Sequence, residues 1–109
     1  MSASIERLLT RDGYVVDRAR DEHAAIASAR QHAPDVILIS LSGAADELIR
    51  TTCDIRSQAG LNEDTPAIIF SVASIPEGVE EDVGAHIHLT APENFDQLRR
   101  LIASSLRRR

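Results

Sequence analysis

His86 and His88 stand two positions apart, so on a strand both imidazoles would face the same way, which is the spacing of a metal-ligand pair. A third ligand is not evident, because His23 and His32 lie far along the chain in or beside another helical segment. The pair therefore reads as strand packing rather than as a metal centre. Cys53 sits inside a stretch of helical spacing with no His close in sequence, which points to a small buried hydrophobe and not to a nucleophile. Asp35, Asp46 and Asp54 invite paired-carboxylate chemistry. Asp35, however, precedes an apolar run, the wrong end of a strand for an α/β site, and Asp46 stands where a helix cap is expected. Ser42-Gly43-Ala44 carries one glycine and no lysine, so it is no Walker-type phosphate loop. All 12 basic residues are arginines, which excludes a lysine Schiff base, a lysine base and a phosphate-binding lysine. These positions yield no catalytic residue, no metal and no cofactor, and the chain is not expected to be an enzyme.

The elements that would position any site must fit in 109 residues, the length of one domain with one core, so residues 1–109 are expected to form a single unit. Hydrophobic residues at 43% and charged ones at 27% are a globular balance, not a disordered one. Aromatics at 3% leave no base-stacking platform, and a net charge of −5 argues against nucleic acid as a partner. One cysteine makes no internal disulfide, and no apolar run approaches the ~20 residues that cross a bilayer, so a cytoplasmic setting without membrane contact is the expectation. The first four residues, Met1-Ser2-Ala3-Ser4, lack the charged and apolar regions of a signal peptide.

Apolar runs of strand length alternate with segments of helical spacing, the rhythm of an α/β fold. Ile5, Leu8 and Leu9 predict a first helix that ends before Asp12-Gly13, and Tyr14 to Asp17 follows as a strand. Asp21 caps a helix that carries Ala25, Ile26 and Ala29 inward, with Pro34 beyond its end. Val36-Ile37-Leu38-Ile39 and Ala67-Ile68-Ile69-Phe70 are apolar throughout, as interior strands covered on both faces are. Between them, Asp46 to Gln58 has Leu48, Thr52 and Ile55 on one side of a helix. Ser74, Pro76 and Glu77 look like the start of a short acidic helix that Gly84 ends, and Ile87 to Leu89 supplies a fourth strand. Asn94 and Gln97 open a last helix striped with Leu98, Leu101, Ile102 and Leu106. The expectation is five helices and four parallel strands in a three-layer sandwich, with the three middle helices on one face and the first and last on the other.

Gly13-Tyr14-Val15-Val16, Pro34 to Ile39, Ile55-Arg56, Pro66 to Ser71, Gly84-Ala85 and Leu89-Thr90-Ala91-Pro92 occur in an order and spacing that resembles the receiver domain of bacterial response regulators, a CheY-like, flavodoxin-like fold. The resemblance covers nearly the whole chain. It implies a phosphoacceptor at the end of the central strand, an acidic pair that holds Mg²⁺ at the end of the first strand, a lysine and a Ser/Thr. Mg²⁺ requires hard oxygen ligands, and the charge that spreads over a transferring phosphoryl group must be neutralised. By that alignment the phosphoacceptor position holds Ser40, the lysine position holds Ala91, and the first strand with its acidic pair is missing. Ser71 keeps the Ser/Thr switch position, and His88 falls at the aromatic switch position.

Glu77, Glu80, Glu81 and Asp82 load the expected fourth helix with acid, and Arg99, Arg100, Arg107, Arg108 and Arg109 load the last helix and tail with base. The resemblance implies homodimers through the fourth helix, last strand and fifth helix, in which acids of one copy meet arginines of the other. The interaction face expected for a protein partner is therefore Glu80, Glu81, Arg99 and Arg100, around His88. These readings converge on a degenerate, phosphorylation-independent pseudo-receiver of two-component signal transduction that works by protein contact. Two alternatives stand beside it: an N-terminally truncated receiver, and a small α/β enzyme that uses Ser40 or the His86/His88 pair.

Overall fold

The computed structural model describes residues 2–40, 44–70, 76–91 and 94–107. Helix α1 (Ser2–Arg11) is followed by α2 (Glu22–Gln31), β1 (Ile37–Ser40), α3 (Ala45–Gln58), β2 (Ala67–Phe70), β3 (Glu80–Asp82), β4 (Ile87–Thr90) and α4 (Phe95–Arg107). Local chemistry sets several of these boundaries. The backbone N–H of Ala24 donates to Asp21 Oδ1 at 2.8 Å, and that of Gln97 to Asn94 Oδ1 at 3.0 Å, so both expected caps satisfy donors that the first helical turn leaves free. Helix α3 instead starts from Ala44 without a side-chain cap, and Asp46 stands within its first turn, where a negative charge favours the helix dipole.

The strands form one sheet in the order β1-β2-β4-β3. Ile37 to Ser40 align with Ala67 to Phe70, and these with Ile87 to Thr90, all parallel. Ile26, Ile39, Leu48, Ile55, Ala67, Ile69, Ile87 and Leu89 make one apolar cluster, which places α2 and α3 on one face of the sheet. Leu9, Ile68, Leu98, Leu101 and Ile102 make the other, which places α1 and α4 on the opposite face. The chain is thus a mostly parallel α/β sandwich of three layers, with α3, the crossover from β1 to β2, on one face together with α2, and α1 and α4 sharing the other.

Three expectations are corrected. The acidic segment that opens at Glu77 is not a helix among its described residues: Glu80–Asp82 is a strand antiparallel to β4, with Glu80 opposite Thr90 and Asp82 opposite His88. In a helix, Glu77 would stack on Glu80 and Glu81 at repulsive three- and four-residue spacing, whereas the strand separates the charges and gains a hydrogen-bonded ladder. Gly78 and Gly84 bracket the strand at φ +85° and +87°, conformations that a glycine adopts freely. The described residues accordingly form four helices, not five, and the four-stranded sheet is mixed.

Tyr14 to Asp17 is not a strand either. Tyr14 and Val16 pack against the α1/α4 cluster while Val15 is 93% exposed, so the alternation of a strand is present without a ladder partner. Cys53, expected inside, is exposed on α3, because the buried side of that helix runs through Leu48, Thr52, Ile55 and Arg56. Ser42 and Gly43, Ser71 and Ser74, and Arg108 and Arg109 lie outside the described residues.

Candidate functional site

The carboxyl ends of the parallel strands are where an open α/β sheet presents its ligand crevice. Ser40 ends β1 there, exposed, in register with Phe70 of β2 and, through it, with Thr90 of β4. Thr90 is fully buried, and its hydroxyl donates to the carbonyl of Val79 at 3.1 Å. Ala91 is held by its own backbone: its carbonyl accepts from Gly78 N–H at 2.7 Å and its N–H donates to Val79 at 3.3 Å. The position where the resemblance expects a lysine therefore anchors the start of β3. Ser71 lies outside the described residues.

The residues expected to form an interaction face divide into two groups. Glu80 and Glu81 are exposed on the edge strand, and Gln97 Nε2 donates to Glu80 Oε2 at 3.1 Å and to the carbonyl of Gly78 at 2.9 Å, which ties α4 to β3. Arg100 is exposed and makes no ion pair among the described residues. Arg99 is committed internally: it pairs with Asp12 at 2.7 Å and Asp96 at 3.1 Å and lies 4.9 Å from the centre of the Phe95 ring. His88 is 8% exposed, facing inward rather than out to a partner.

At the amino ends of the strands, Pro66, Asp82, Gly84, Ala85, His86, His88 and Ser105 line a recess of about 430 Å³. The two histidines do come together here, but by different means. His88 belongs to β4, opposite Asp82, whereas His86 precedes the strand at φ +60°. Ala85 has φ +55° and Gly84 +87°, so three consecutive residues are left-handed, two of them with side chains that disfavour it. That turn is overdetermined from outside. Arg56, a residue only 5% exposed, donates through Nη1 to the carbonyls of Ala85 at 2.7 Å, Glu63 at 2.6 Å and Thr65 at 3.1 Å. Ala67 N–H donates to the carbonyl of His86 at 3.0 Å. Ser105 Oγ is buried with no hydrogen-bond partner among the described residues.

Among the described residues, no three of His, Cys, Asp and Glu come close enough together to hold a metal ion. Ser105 and Arg56 are additions that the sequence reading missed, although each left a trace. Ser105 continues the buried stripe of Leu98, Leu101 and Ile102, and Arg56 that of Leu48 and Thr52, so each puts a polar group where helical spacing calls for an apolar one. None of the described helices is long and apolar enough to cross a membrane. Compared with models of protein families, with curated proteins and with solved structures, the chain matches none.

Proposed function

We propose that this chain is a receiver-like signalling module of the two-component type that acts by protein contact and carries no phosphoryl switch. The observation that bears most weight is Ser40, an exposed neutral hydroxyl at the carboxyl end of β1, in the place that the resemblance gives to an aspartate. A serine hydroxyl needs a base to become a nucleophile. His86 and His88 lie at the amino ends of the strands and Ser40 at the carboxyl end, so neither histidine is placed to serve Ser40 as that base. The layering of α2 and α3 against α1 and α4 supports the receiver-like reading. The exposed acids of β3 and Arg100 of α4, which has no ion pair among the described residues, supply the contact surface, with β3 standing where the expected fourth helix would have been.

Two measurements test this. Purified protein incubated with acetyl phosphate and Mg²⁺ keeps its intact mass; a gain of one phosphate overturns the reading. In a pull-down from native extract, the protein retains a partner that a Glu81→Arg, Arg100→Glu variant loses; identical capture by both rules out this face.

A further inference from the structure

The two edges of the sheet are built differently. At one edge, β3 presents Glu80, Glu81 and Asp82, the charged type of edge that discourages pairing with another strand. At the other, β1 is Ile-Leu-Ile-Ser and carries no charge. Its ladder to β2 fixes which backbone groups remain open. Ile37 N–H donates to the carbonyl of Pro66 at 2.9 Å, so Ile37 and Ile39 face β2, and the alternation of a parallel ladder turns the N–H and C=O of Val36, Leu38 and Ser40 outward. Among the described residues, neither Val36 nor Leu38 has another hydrogen bond at this edge. Burial falls off here on both faces: Ala67 to Phe70 of β2 are 0 to 5% exposed, but Ile37 on the α2/α3 face and Leu38 on the α1/α4 face are only half-buried. An uncharged apolar edge with open backbone donors and acceptors invites pairing.

We propose that β1 pairs antiparallel with β1 of a second copy of this chain, across a twofold axis at Leu38. The strand that fits beside β1 must be apolar on both faces and uncharged, and β1 itself has that composition. With Leu38 on the axis, Leu38 meets Leu38 of the second copy and Val36 meets its Ser40, so every outward backbone group from 36 to 40 finds a partner in an isologous, closed interface. Pairing β1 with the β3 of another copy would set three acids beside a strand without a cation, and β3 against β3 would oppose like charges. The assembly therefore stops at two. This inference rests on the sheet edge alone and is independent of the proposed function.

Sedimentation equilibrium over a wide concentration range tests it. The protein is expected to dimerise, with the Leu38 amide gaining hydrogen-exchange protection as concentration rises. Leu38→Pro removes an outward N–H and leaves the ladder to β2 intact, so a folded variant is expected to be monomeric. Ser40→Arg, at an exposed position, is expected to weaken the dimer about tenfold or more by burying a charge opposite Val36, and it decides the matter if the proline variant does not fold. Glu81→Arg, Arg100→Glu is expected to leave this dimer unchanged, which separates it from association through β3 and α4. A protein that stays monomeric throughout, or a dimer indifferent to Ser40→Arg, overturns the proposal.

Discussion

Arg99 Nε lies 2.7 Å from Asp12 Oδ2, joining residues 87 positions apart and latching the first turn and a half of α4 to the end of α1. A second contact, Nη2 to Asp12 Oδ1 at 3.3 Å, makes the pair two-pronged, and the Phe95 ring beneath the guanidinium restricts its rotamers. Arg99 is 44% exposed and Asp12 25%, so water and salt screen the attraction. Asp12→Asn is expected to cost about 1 kcal/mol at most, a difference that shrinks in high salt. Urea unfolding of both proteins at low and high ionic strength measures it; equal midpoints at low salt would mean that the latch contributes nothing.

Where a segment's own pattern had one good outcome, it was legible in the sequence. Ala67-Ile68-Ile69-Phe70 is apolar at every position and is a buried interior strand, and the Asp21 and Asn94 caps act where their spacing places them. Tyr14 to Asp17 has strand composition, yet a strand exists only where a neighbour offers a ladder, and no local pattern reports that. Likewise Glu80 to Asp82 pairs with β4 because Gly84, Ala85 and His86 reverse the chain in left-handed conformations, a turn that Arg56 holds from another layer. The recess at the amino ends was half legible. The His86/His88 spacing was visible, but Ser105 reaches the same place from α4 and Asp82 from a strand that local charge spacing disguised as a helix.

Arg56 is a buried cation whose Nη1 holds three carbonyls from two loops. Arg56→Met keeps much of the side-chain volume but strands those acceptors, and a loss of about 2–4 kcal/mol in unfolding free energy is expected. The damage should concentrate at the turn before β4. Amide exchange at Ile87, whose N–H donates to the carbonyl of Gly84 at 3.0 Å, and at Ala67, bonded to His86, should accelerate more than exchange in the middle of α3. Uniform acceleration would place the role of Arg56 in α3 itself.

Glu81 stands on the face of β3 away from α4, between Val79 at 40% exposure and Val83 at 37%. Glu81→Val would join them into a continuous β-branched stripe on an open edge, and edge strands without charge are where sheets of different molecules join. Folding stability should change by no more than about 0.5 kcal/mol, since the site is exposed. Light scattering at constant temperature should nevertheless rise with time for the variant and stay flat for the parent. A variant as soluble as the parent would show that the acid at this position does not guard the edge.

Ser105 interrupts the buried stripe of α4 with a hydroxyl that has no partner among the described residues, and it does so in the wall of the recess that also holds His88. A buried hydroxyl without a hydrogen bond is unfavourable, and alanine is the better helix former at such a position. Ser105→Ala removes a single atom, so the cavity penalty is small against these gains. An increase of about 1 kcal/mol in unfolding free energy is expected, read from the urea midpoint at unchanged slope. The opposite sign would be the more informative failure. A serine whose loss destabilises the fold is a serine whose hydroxyl is engaged, and the group that engages it would then lie in the recess with His86, His88 and Asp82.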